Sequence, residues 1–118
     1  MNIILHITTW AEWEQAQAEG FYRGDTLATE GFIHCSTPDQ VEEVADRVFH
    51  GRDDLVLLCI TPARVQPEVR FELAENGSIY PHIYGPLNAD AVLTVVTFQP
   101  GDDGRFKLPE SVTAMLDE

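Results

Sequence analysis

Apolar residues in this chain fall into short unbroken runs and helical stripes, and that pattern divides it into elements. Asn2 to Thr8 (N-I-I-L-H-I-T) is a mostly apolar run of strand length, with His6 inside it. Thr9 and Glu12 have capping-box spacing. Trp10, Trp13 and Ala16 recur at helical intervals, so a helix follows and stops at Gly20, with the two tryptophans as core or groove wall. Phe21 to Glu30 reads as a loop with Gly24-Asp25 as turn residues. Phe32 and Ile33 are strand formers that lead into a second helix start. There Thr37 suits the N-cap, Pro38 the first helical position, and Gln40 completes a Thr-x-x-Gln box. From Pro38 to His50, Val41, Val44, Ala45, Val48 and Phe49 form one apolar stripe. Glu42, Glu43, Asp46 and Arg47 face solvent, His50 lies on the surface in the last turn, and Gly51 ends the helix.

Asp54 to Thr61 is continuously apolar, as expected of a central strand covered on both faces. Glu68 to Leu73 alternates and predicts a half-exposed strand, followed by an Asn76-Gly77 turn. Ile79 to Leu87 holds two prolines and a glycine. That composition predicts an irregular segment with little pairing, packed at the edge of a ligand cleft. Ala91 to Phe98 is a last strong strand. Beyond Gln99 the chain turns polar, with a short helix from Pro109 to Leu116. Strand, helix, strand, helix and then mostly strands predict one α+β domain over residues 1–118. Its core lies in about 1–98, on a mixed or antiparallel sheet with two main helices.

Composition narrows the function classes. A net charge of −13 and a pI near 4.4 repel polyphosphate and anionic lipid, so neither nucleic acid nor membrane is an expected partner. The two cysteines, Cys35 and Cys59, lie in apolar runs, which reads as reduced, cytoplasmic usage. No signal peptide opens the chain and no apolar run reaches membrane-spanning length. Neither the G-x-G-x-x-G nor the P-loop pattern occurs, nor does any internal repeat.

Three of the four histidines, His6, His34 and His82, sit in apolar surroundings. Each needs a polar partner there, and one shared polar cleft would supply all three. Zinc is disfavoured, because C-x-x-C, H-E-x-x-H and H-x-H are all missing. A Cys35–His34 nucleophile pair fails as well, since neighbours on a strand point to opposite faces. Ser36 and Thr37 suit a helix cap, and the helix start beside them favours an anion. Arg23, one of seven basic side chains, is either a surface arginine or a phosphate clamp.

Four blocks, L-H-I-T (Leu5–Thr8), G-F-I-H-C-S (Gly31–Ser36), D-L-V-L-L (Asp54–Leu58) and P-H-I-Y-G-P-L (Pro81–Leu87), resemble a small bacterial family described as a domain of unknown function. The resemblance extends to about Phe98. That family is placed in the ADP-ribosyltransferase-like superfamily, which implies a split, strand-rich α+β fold with NAD in its cleft. The chain also resembles, more distantly, the NAD-binding part of tRNA 2′-phosphotransferase. That likeness implies that His6 and His34 hold the nicotinamide-side ribose and the diphosphate, with Thr8, Arg23, Ser36, Thr37 and Tyr84 near the cofactor. The glutamate that better-known transferases carry late in the chain has no clear counterpart. Glu72, or His82 with Tyr84, are its candidates by position. The implied chemistry is rupture of the C–N bond to nicotinamide through a cation-like ribose. Trp10, Tyr80 or Tyr84 would stack on the ring. A non-catalytic module binding a nucleotide or other small ligand in the same cleft is the alternative. A contact protein using Tyr80 to Leu87 is a third reading.

Overall fold

Leu55–Ile60 (β4) is buried at every position, because it is the middle strand of a sheet covered on both faces. The computed structural model describes residues 1–118. Ile4–Thr9 (β1) and Val92–Phe98 (β8) pair antiparallel with β4 on either side. Alternation along these strands separates two groups of core residues. Ile4, Leu58 and Ile60 point one way; Leu5, Leu57, Cys59 and Phe98 point the other.

The first face is covered by Trp10–Glu19 (α1) and by a second sheet. That sheet runs in the order Ile33–His34 (β3), Ile79–Tyr84 (β6), Glu68–Leu73 (β5), again antiparallel throughout. A short ribbon of Phe21–Tyr22 (β2) and Leu87–Asn88 (β7) closes one end. The opposite face is covered by Val41–Val48 (α3) and Glu110–Leu116 (α4) through Val41, Ala45 and Val112. Leu27–Glu30 (α2) is one turn leading into β3. The two main sheets touch where Leu5 and Ser36 exchange two backbone hydrogen bonds of 2.8 Å. The result is an α+β domain in which no helix is long and apolar enough to cross a membrane.

Several sequence expectations hold at the residue level. Thr9 caps α1, and Gly20 ends it at φ 89°, a left-handed position that glycine takes without steric cost. The capping box is only half made, because the Glu12 carboxylate turns to the Thr8 hydroxyl instead of to the Thr9 backbone. Trp13 is core, while Trp10 is exposed.

Of the mixed or antiparallel sheet expected, the antiparallel form is found, since no strand pair is parallel. Other expectations are corrected. The second main helix begins at Val41 and not at Pro38. Thr37 spends its backbone N–H on the Gln40 side chain at 3.0 Å and makes a turn ahead of the helix. The helix also stops at Val48, which is exposed.

The 79–87 segment is no loop: residues 79–84 form the central strand of the second sheet. Pro81 is tolerated because its carbonyl accepts from Cys35 at 3.0 Å. Its missing N–H therefore points to the same side, where β3 has already ended at His34. Tyr80 to Ile83 are consequently buried, while Tyr84 to Pro86 remain accessible. Residues after 98 are not a polar tail either. Phe106 and Val112 join the core, and Asp46 and Glu42 hold the backbone N–H groups of Phe106 and Leu108 at 2.8 and 2.7 Å.

Truncating Leu57 to alanine should cost about 3 kcal/mol, since it empties a fully buried site in the middle strand. Leu93→Ala, on partly exposed β8 surface, should cost about 0.5 kcal/mol or less. Urea unfolding of both variants checks this, and equal losses would contradict the packing described.

Candidate functional site

A cleft of about 850 Å³ opens where the two main sheets meet. β1 contributes His6, β3 contributes His34, β6 contributes Tyr80 and His82, and α3 contributes Arg47 from the side. The register explains the convergence: His34 lies opposite His82, and their rings are 5.4 Å apart. Leu5 bonds Ser36 one residue earlier than His6, which brings His6 against β3 from the other sheet.

His6 is the member with both ring nitrogens engaged inside the protein. Its Nδ1 lies 2.5 Å from the His34 carbonyl oxygen, and its Nε2 lies 2.7 Å from the Tyr22 hydroxyl. Tyr22 in turn is 2.9 Å from the Thr8 hydroxyl, which bonds Glu12. Burial lowers the proton affinity of the His6 ring, partly offset by the His34 carbonyl and the carboxylates of Asp25 and Glu12. The same burial pushes the Tyr22 phenol well up.

His34 and His82 are each held by a carboxylate. Gly31, at φ 89°, turns α2 into β3 and so sets Glu30 beside His34, with His34 Nε2 at 3.2 Å from its carboxylate. His82 Nδ1 lies 2.9 Å from Glu72 on the neighbouring strand. Phe32 stacks on His82 at 4.1 Å and meets His34 edge-on at 4.7 Å, fixing both ring planes. Tyr84 also donates to Glu72 and lies under Arg70 at 4.5 Å. The Tyr84 hydroxyl and then His82 hold the Glu72 carboxyl below its ordinary range, while Glu72 raises the Tyr84 phenol. Imidazoles oriented at one nitrogen and open at the other are equipped for proton transfer or hydrogen bonding to a ligand.

Of the residues singled out by sequence, the cleft wall contains His6, His34, Ser36, Tyr80 and His82. Thr8 stands behind His6 in the buried chain to Glu12. Tyr84 lies on the His82 side of the second sheet, outside the cleft wall. Thr37 faces its own turn, with its hydroxyl on Asp39. Arg23 pairs with Glu19 at 3.0 Å in a separate hollow of about 310 Å³ beside α1. The cation that does line the cleft is Arg47, which helical patterning had placed simply in solvent. Tyr22, Glu30 and Phe32 were also missed. Nothing in local spacing marks Tyr22, but Glu30 and His34 stand four apart and could have been paired on that ground. No three or more His, Cys, Asp or Glu side chains converge as a metal-holding set.

The fold and site define an antiparallel α+β protein with a histidine-walled cleft between two sheets. The chain belongs to the family described as "Protein of unknown function (DUF952)", whose model matches residues 7–95. Its fold is shared by protein CC0527 from Caulobacter crescentus. The crystal structure of that protein is 30% identical with a TM-score of 0.85, covering 94% of this chain and 98% of the other. A double mutant of CC0527 gives 30% and 0.84 over the same shares. The solution structure gives 31% and 0.81, covering 94% of this chain and 97% of that one. No curated protein matches the chain.

Both cysteines are free and buried, and burial raises both thiols, Cys59 to about 11. Neither should react with iodoacetamide at about pH 8 in the native protein, and both should react once unfolded. Mass spectrometry before and after urea reads this out. Rapid native labelling of Cys35 would mean that the cleft wall opens.

Proposed function

We propose that the cleft binds NAD as a substrate and that the protein is an ADP-ribosyltransferase-like enzyme, a transferase or a glycohydrolase. One observation carries the reading. His6 and His34, the two residues that the resemblance to the phosphotransferase singles out, come from different sheets yet line one cleft wall, where the His6 ring lies 2.5 Å from the His34 backbone carbonyl. The cleft volume lies within the ordinary range for small-molecule sites. Its charges fit the two ends of the ligand. The nicotinamide ring of NAD is a cation, and Asp25, Glu30 and the faces of Phe32 and Tyr80 suit one. The diphosphate needs a cation, and Arg47 is the one lysine or arginine in the wall. Arg23 lines the other hollow, where it pairs with Glu19.

In such a site the bond from ribose C1′ to the nicotinamide nitrogen breaks, its electron pair leaves with nicotinamide, and an acceptor hydroxyl, water in the glycohydrolase, bonds to C1′ and gives up its proton to solvent. Carboxylates at Glu30 and Asp25 would steady the positive ribose, and the open nitrogen of His34 would hydrogen-bond a hydroxyl. Glu72 acts at one remove, by orienting His82. That same feature favours the second reading, a binding module without turnover. Glu72 is engaged by Tyr84 and His82 and is not part of the cleft wall.

NMR titration with NAD tests both readings, following the histidine C–H signals and free nicotinamide together. Selective movement of His6 and His34 with release of nicotinamide is expected. His34→Ala should weaken binding about tenfold, the worth of one hydrogen bond. Movement without nicotinamide favours the binding module, and no movement at millimolar NAD removes the reading.

A further inference from the structure

The line of groups from His6 to Glu12 has a proton count fixed by its ends. A carbonyl oxygen can only accept, so the bond to His34 requires a hydrogen on His6 Nδ1. An ionised carboxylate can also only accept, so Thr8 then donates to Glu12. Three contacts lie between these ends: His6 Nε2 to Tyr22, Tyr22 to Thr8, and Thr8 to Glu12. Each needs one hydrogen between its two heavy atoms. A neutral His6 and an ionised Glu12 leave only the two hydroxyl hydrogens for three contacts. One contact would then press lone pair against lone pair, which is costly at the two buried contacts and is escaped at the third only if the exposed Glu12 carboxylate leaves Thr8.

One more proton closes the line in either of two ways. His6 is an imidazolium, both hydroxyls point toward Glu12, and Glu12 is a carboxylate. Alternatively, Glu12 is a carboxylic acid, both hydroxyls point back, and His6 is a neutral imidazole. The two states hold the same number of protons. They interconvert when each hydrogen moves one step along the line, with no other bond made or broken.

We infer that His6, Tyr22, Thr8 and Glu12 form a proton relay that shares one proton between the cleft and the hollow beside α1. The placement of the ends supports this independently of the count. His6 lines the cleft and Glu12 lines the hollow. Tyr22 and Thr8 between them are each only 3% exposed, whereas Glu12 is open to solvent. The His34 carbonyl, Asp25 from the turn after β2 and Glu12 from α1 favour charge on His6; burial and the His34 imidazole oppose it. Cys35, at the end of β3, faces Tyr22. The balance is therefore adjustable from the cleft. An anionic group seated beside His6, a phosphate or carboxylate, draws the proton to the imidazole and leaves Glu12 ionised. The cleft wall turns positive without taking a proton from water. Glu12, Thr8 and Tyr22 are positioning residues in this scheme, and the relay stands whether or not NAD is the ligand.

The test is NMR of the apo protein from about pH 5 to about pH 8, reading the ring nitrogens of His6 and the carboxyl carbon of Glu12. In the wild type both should change in one shared step, as coupled groups do. Glu12→Gln is the sharp variant, and Glu12 is exposed, so the fold is not at risk. The glutamine amide donates to Thr8, and the line closes around a neutral His6 with no extra proton. The His6 step should fall by about one unit or more, roughly a tenfold loss of proton affinity. Tyr22→Phe cuts the line, so His6 and Glu12 should titrate at separate pH values. Separate steps in the wild type, an unchanged His6 in Glu12→Gln, or a persistent shared step in Tyr22→Phe would each overturn the relay.

Discussion

Two backbone hydrogen bonds between Leu5 and Ser36 join the main sheets, and the cleft opens beside that junction, with both residues in its wall. A sheet edge offers unpaired donors and acceptors, and one residue of β1 uses them on the second sheet while β4 takes the other edge. His6 follows Leu5 and points to the opposite face, so its ring reaches the β3 carbonyl that the sheet no longer uses. Hydrophobic burial holds this arrangement from both sides. The α1 side and the α3–α4 side of the first sheet each carry their own packed cluster. Displacing the junction would disturb both clusters as well as the site.

The cleft wall divides chemically along that junction. On the β1 side a histidine is buried and has both ring nitrogens engaged. Across the cleft, His34 and His82 each carry a carboxylate at one nitrogen and share one aromatic support in Phe32. Identical side chains thus stand in different electrical settings a short distance apart, the usual route to separate roles within one site. The acidity of the whole chain persists here as Asp25, Glu30 and Glu75, with Arg47 the single opposing charge. A ligand that carried only negative charge would meet an unfavourable field over most of this wall.

Much of this was legible before any coordinates. Continuous burial of β4 follows from its unbroken apolar run, and the two-sided cover from the same fact. His6, His34 and His82 were picked out because an imidazole amid apolar residues needs a partner, and they do share one cleft. Two kinds of feature stayed hidden. The first was tertiary pairing that overrides local habit: Pro81 sits in a central strand because its missing donor falls where β3 has stopped. The second was side-chain chemistry between distant segments. Tyr22 reaches His6 across sixteen residues, and Asp46 reaches the Phe106 backbone across sixty. Neither separation has a period or a motif. Arg23 could be read as a surface arginine or as a clamp, and scarcity of basic side chains carries no direction to decide between them; it lies in the hollow beside Glu19.

The antiparallel pairing of β1 with β4 has a consequence for the order in which the molecule is made. His6, Thr8, Glu12 and Tyr22 are close neighbours in the sequence, and all four are synthesised before residues 55–60. Yet the strand that carries His6 and Thr8 finds its partner only when residues 55–60 have been synthesised, and His34 gains its opposing strand only with residues 79–84. Until then the N-terminal segment is an apolar strand with nothing to cover it, the kind of species that chaperones engage. Translation therefore proceeds from the site outward, while assembly must wait and close back upon it.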